Sequence, residues 1–113
     1  MSTATYFNRG EVAMEITDIK IRKIISEGRL RAVVSMTLSN QLAIHDIKVV
    51  QGDERLFVAM PSRKDEGGVF RDIVHPISPQ SRKILEDEIL DAYERHLALI
   101  EAEESDELLQ QYQ

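Results

Sequence analysis

"LFVAMPSRKDEGGVFRDIVHPI", residues 56–77, holds two apolar runs around a short charged stretch. The first run reaches Met60 and breaks at Pro61. Arg63 and Lys64 then stand side by side, followed by Asp65, Glu66, Gly67 and Gly68. The second run carries Arg71 and ends at His75-Pro76. Apolar runs bounded by proline and glycine predict two paired strands, with "PSRKDEGG" as their projecting tip. "LFVAMP" is apolar at both parities, so its strand is expected to be covered on both faces, by a helix or by a second subunit. Pro76 has no N–H for a sheet ladder, which ends the second run.

Upstream the pattern is also that of strands. "EITDIKIRKII" (residues 15–25) puts Ile19 and Ile21 on one side and Lys20 and Arg22 on the other, a period of two. Ser26-Glu27-Gly28 is a turn. "LRAVVSMTLS" (residues 30–39) aligns Ala32, Val34, Met36 and Leu38 on one face. Asn40-Gln41 makes a short connection, as in a hairpin. "LAIHDIKVVQGDE" has a phase fault: Leu42 and Ile44 share one parity, Ile47 and Val49 the other. A β-bulge near His45-Asp46 reconciles the two halves.

Downstream the period changes to that of a helix. Ser78 is a good N-cap and Pro79 fits the first helical position. Leu85, Ile89, Ala92, Tyr93, His96 and Ile100 then recur at spacings of three and four. The predicted architecture is α+β: an antiparallel sheet of about five strands followed by a C-terminal amphipathic helix. Exposed sheet edges make a strand-paired or swapped homodimer the expected assembly. Residues 14–100 read as a single domain. Residues 1–13 read as an N-terminal extension, and residues 101–113 as an acidic tail or an extension of the helix.

The chain has 113 residues and a net charge of −6. That average hides an asymmetry, because residues 85–113 hold ten acids and one base, whereas residues 1–84 hold 13 bases and ten acids. A mildly basic body thus carries an acidic helix and tail. There is no cysteine, which excludes disulfides and thiolate metal sites. No run approaches the roughly 20 apolar residues of a membrane span, and the start lacks the apolar core of a secretory signal, so a cytoplasmic protein without membrane contact is expected.

Catalytic groups are thin. His45 and Asp46 are neighbours on a strand and point to opposite faces, and Asp72 and His75 differ in parity. A metal site would require His45, Asp46, Asp72 and His75 to converge, and no ligand spacing announces one. Gly67-Gly68 lacks the Lys-Ser/Thr of a phosphate loop and joins two strands. No enzyme activity and no cofactor are expected. The cations remain: Arg63 and Lys64 on the tip, Arg71 on the last strand, and Arg82 and Lys83 at the helix start. Cations there oppose the macrodipole, and a bound anion would reverse the cost. Two such groups of cations on one side of the molecule would straddle a phosphate backbone.

The blocks "MEITDIKIRKI" (residues 14–24), "HDIKVVQGDERLFVAMPSRK" (residues 45–64) and "FRDIVHPI" (residues 70–77), together with the C-terminal helix, resemble the SpoVG family of bacteria. The match runs from about Met14 to about Arg95. The resemblance implies a small antiparallel sheet with C-terminal helical structure. It also implies a homodimeric regulator that binds DNA and RNA, linked to septation and sporulation. By the same resemblance the basic pair after "AMPS" is Arg63 and Lys64, and the cation of "FRDI" is Arg71. The resemblance also implies that sequence preference resides in the helix after "HPI", which here carries Arg82 and Lys83. Asp65 and Glu66 depart from the family pattern, in which neutral or basic residues often come after the pair. They are expected to lower the local potential and shift weight to Arg71, Arg82 and Lys83.

The expected function is therefore that of a non-enzymatic nucleic-acid-binding regulator. The alternative is a protein–protein adaptor in cell division that works through Glu86, Asp87 and Glu94 of the acidic helix.

Overall fold

The computed structural model describes residues 15–111. The N-terminal extension, residues 1–13, lies outside them. Four strands form an antiparallel meander in sequence order: β1 (Ile16–Ile24), β2 (Leu30–Leu38), β3 (Leu42–Gln51) and β4 (Leu56–Ala59). Next come a separate two-stranded ribbon, β5 (Ser62–Lys64) with β6 (Phe70–Asp72), and then one helix, α1 (Pro79–Gln111). The architecture is α+β.

Three of the four register shifts in the sheet keep the apolar residues of β1 and β3 on one face. Along β1, Ile16, Ile19, Ile21 and Ile24 are spaced three, two and three apart, and the ladder slips once in each gap of three. On β3 the fault expected at His45-Asp46 is a bulge: Met36 faces Ile44, Val34 faces Ile47, and Ser35 alone spans the two residues between. Asp46 takes φ 61°, the left-handed conformation that such an insertion favours. The β2–β3 connection is centred on Ser39-Asn40, one residue earlier than the sequence suggests. Both have positive φ, and the Gln41 N–H donates to the Leu38 carbonyl. That is a type I′ turn, whose twist matches its strands.

The paired-strand expectation for "LFVAM" and "VFRDIV" needs correction. β4 pairs with β3, through Val49–Val58 and Lys48–Ala59. β6 pairs instead with β5, the "SRK" that the sequence placed in the tip. Pro61 explains the change: it has no N–H, so the ladder stops before it and the chain leaves the sheet. Its carbonyl still accepts from the Ile73 N–H at 2.8 Å, which ties the ribbon's base. The turn is thereby shortened to Asp65–Gly68, where Gly68 takes φ 84° and donates to the Asp65 carbonyl.

Helix α1 starts as expected, with Ser78 Oγ accepting from the Ser81 N–H at 3.0 Å. Leu85, Ile89 and Tyr93 enter the core against Ala32, Val34, Met36, Ile47, Val49 and Val58. Leu90 and Leu97 pack at its margin. The helix is about 50 Å long at 1.5 Å per residue, and its last turns, from Glu101 to Glu107, are exposed. No helix among the described residues is long and apolar enough to cross a membrane.

Candidate nucleic-acid interface

The ribbon carries three of the five cations that the sequence singles out. Arg63 on β5 faces Arg71 on β6, and Lys64 faces Phe70. All four are exposed. The Lys64 ammonium lies 5.3 Å from the centre of the Phe70 ring, a cation–π contact that fixes its position without neutralising it. Arg63 has no carboxylate partner among the described residues. Arg71 has one: its Nε donates to Asp65 Oδ2 at 2.7 Å.

Asp65 is the organising residue of the tip. Its Oδ1 accepts from the N–H groups of Gly67 at 2.9 Å and Val69 at 3.0 Å. The Arg71 hydrogen bond first, and then the Val69 backbone bond, hold its carboxyl below the ordinary value of 3.8. Asp65 is therefore ionised at neutral pH, and its charge is spent inside the ribbon. Asp65 lowers the local potential by occupying Arg71, and Glu66, which is exposed, adds a second negative charge. Arg63, Lys64 and Arg71 border one open depression of about 380 Å³ with Asp65, Glu66, Asp72 and Ile73.

Arg82 and Lys83 do not border it. Arg82 Nη2 donates to the Val58 carbonyl at 3.0 Å. One turn further on, Glu86 Oε2 accepts from the Val58 N–H at 3.1 Å. Together they occupy both hydrogen-bonding groups of Val58 on the outer edge of β4, an edge that would otherwise be free to pair with another chain. Arg55 closes the arrangement with a 3.4 Å contact to Glu86 Oε1. Lys83 bonds Asp87 at 2.9 Å, one turn along the helix. That bond first, and the nearby negative charge second, raise the Lys83 ammonium above its ordinary value. The macrodipole penalty read from the sequence is thus offset by partners within the chain. Of the acids assigned to an adaptor surface, Asp87 is the Lys83 partner, Glu86 is held by Arg55 and the Val58 N–H, and Glu94 remains exposed.

The remaining candidates stay apart. His45 Nδ1 lies 2.8 Å from Ser35 Oγ, and His75 Nδ1 lies 3.1 Å from the Pro76 carbonyl oxygen. Asp72 pairs across the ribbon with Ser62. Among the described residues no group of three His, Asp or Glu side chains is placed to hold a metal ion.

The sequence sets Lys20 and Arg22 on one side of the first strand without assigning them a role, and the fold brings them into a second group of cations. The sheet face turned away from α1 carries Lys20, Arg22, Lys23 and Lys48. The alternation of β1 and β3 contained the signal, once the bulges were allowed for.

The chain matches the SpoVG family model over residues 14–95. It is 50% identical over 91 residues to a protein of Clostridium botulinum, covering 80% of this chain and all of that one. It is 52% identical over 82 residues to one of Lachnospira eligens, with 73% and 93% covered. It is 56% identical over 81 residues to one of Acetivibrio thermocellus, with 72% and 86% covered. All three bear the name "Putative septation protein SpoVG". The match takes in the whole sheet, the ribbon and α1 as far as Arg95, and the chain belongs to the SpoVG family.

Proposed function

We propose that this chain is a non-enzymatic, homodimeric nucleic-acid-binding regulator of the bacterial cytoplasm, acting in septation as the names of its relatives indicate. The observation that carries the reading is the ribbon. A two-stranded antiparallel ribbon fits the major groove of duplex DNA. This one stands apart from the main sheet and presents Arg63, Lys64 and Arg71 on its two strands. Phosphate contacts from Arg63 and Lys64 supply most of the affinity, and any base preference comes from the ribbon's other side chains. Arg82 and Lys83 contribute through their residual field, since each already has a partner in the chain.

The dimer is supported by exposed apolar side chains along the ribbon and the segment that leads to the helix. Val69, Phe70, Ile73 and Ile77 are 53%, 66%, 63% and 89% exposed. A second copy covering them would bring two ribbons into one assembly, and paired ribbons would read paired half-sites.

A salt-titrated gel shift with random duplex DNA tests the reading. Replacing Arg63 and Lys64 by alanine should weaken binding and flatten the dependence of log K on log salt by about 0.9 per lost phosphate contact. Unchanged affinity and slope would remove the ribbon from the interface. Sedimentation of the same samples reads the oligomeric state, and a monomer at all concentrations would end the dimer claim.

A further inference from the structure

The four-stranded sheet has a second face. Ala32, Val34 and Met36 point into the core, so Val33 and Ser35 point the other way, as do the residues paired with them. Lys20 pairs with Ser35. Lys23, Val33, Lys48 and Ala59 form one row across all four strands, and Val50 and Phe57 pair in the next. Arg22 Nε donates to Ser35 Oγ at 3.0 Å, and that hydroxyl lies 2.8 Å from His45 Nδ1. Ser35 is only 6% exposed, because Arg22 and His45 lie over it. Two strand spacings separate Lys23 from Lys48, about 10 Å.

The cations of this face make no ion pair among the described residues, unlike most others of the chain. Arg29, Arg55, Arg71, Lys83 and Arg95 each have a carboxylate within 4.0 Å. Among the described residues Lys20, Arg22, Lys23 and Lys48 have none. Asp18, paired with Thr37, bounds the basic area at one end. Phe57 bounds it at the other, half-buried, with its ring against Gly52: a Cβ there would lie 3.2 Å from the ring.

We propose that this open sheet face binds single-stranded nucleic acid, with phosphates on Lys20, Arg22, Lys23 and Lys48 and bases against Phe57 and His45. A broad sheet face cannot enter a duplex groove as the ribbon can. It does suit a single strand, whose unstacked bases seek flat apolar partners while cations track the backbone. The inference goes beyond the ribbon reading and uses none of its residues.

The test compares three full-length variants with the parent chain: K20A/K48A, F57L and R63A/K64A. F57L keeps apolar volume beside Gly52 and removes the ring. The probes are a short labelled oligouridine, a random duplex and polyglutamate, each titrated with salt, and melting curves confirm folding. K20A/K48A should bind oligouridine with a salt slope smaller by about 1.4, at about 0.7 per lost contact, and bind duplex like the parent. F57L should lose roughly tenfold in oligouridine affinity without a change in slope. R63A/K64A should lose duplex and keep oligouridine. Parent-like oligouridine binding by K20A/K48A overturns this inference and leaves the ribbon reading intact. Polyglutamate binding as tight as oligouridine also overturns it, since the face would then serve an acidic protein segment. A parent chain that binds no nucleic acid overturns both readings.

Discussion

Arg63 and Arg71 stand directly opposite each other across the ribbon. Like charges in that position repel, at a cost of a few tenths of a kcal/mol or more. Asp65 relieves the repulsion by bonding Arg71, and the same carboxylate closes the turn through the Gly67 and Val69 N–H groups. One acid thus does two things: it shapes the tip and leaves Arg63 as the arginine still open to an external anion.

The carboxyl of Asp65 should titrate below 3.8. Its folded pKa is lowered, so its stabilisation is complete above the unfolded value and is lost as pH falls through the folded one. Amide resonances of Gly67 and Val69 are expected to move together as pH falls, with a midpoint below 3.8. A midpoint above that value would contradict the clamp. Asp65→Asn keeps an acceptor and removes the charge. Released from its partner, Arg71 should add up to about 0.9 to the salt slope for duplex DNA, while the Gly67 and Val69 amides exchange faster with solvent.

Glu86 is predicted to matter for stability rather than for partner binding. Its side chain is 14% exposed, and it caps the Val58 N–H on the edge of β4. Glu86→Ala leaves that donor unpaired beside the core, at a cost of about 1–3 kcal/mol. Glu86→Gln still offers an acceptor and should cost about half as much or less. Urea midpoints of the two variants check the order. Equal midpoints for parent and alanine variant would show that water replaces the cap without loss.

The strands and the helix were legible because their periods are set by burial. The bulge at His45-Asp46 was legible for the same reason: only an inserted residue puts Ile44 and Ile47 on one face. The ribbon was not. "LFVAM" and "VFRDIV" have matching apolar content, and nothing in composition says that Pro61 diverts the chain so that "SRK" becomes the pairing strand. The roles of Arg82, Lys83 and Asp65 were also hidden, since each depends on a partner brought close by the fold. A charge in sequence shows its sign but not whether it is already spent, which is why Arg63 and Arg71, alike on paper, differ in the structure.

Asp46 offers a direct check on the bulge. Its φ of 61° is tolerated by aspartate and glycine and opposed by β-branched side chains. Asp46→Val should destabilise the fold by about 1–3 kcal/mol, and Asp46→Gly should lie within about 1 kcal/mol of the parent. Thermal unfolding distinguishes them. If valine is tolerated as well as glycine, the ladder has another way to bring Ile44 and Ile47 to the core.

Removing residues 102–113 separates the acidic helix end from the fold. The last core contacts of α1 are made by Tyr93 and Leu97, so the melting temperature should move little. The deletion takes away four acids and no base. It should therefore raise affinity for nucleic acid severalfold at low ionic strength, where the screening length is about 30 Å at 0.01 M. The gain should vanish near 1 M salt, where that length is about 3 Å. This dependence separates a long-range field from a contact. A helix end that directly covered a binding face would, once removed, leave a gain that persists at high salt, and an end required for folding would lower the melting temperature instead. With the melting temperature unchanged and the gain confined to low salt, the acidic turns act as a repulsive field around a binding surface located elsewhere on the chain.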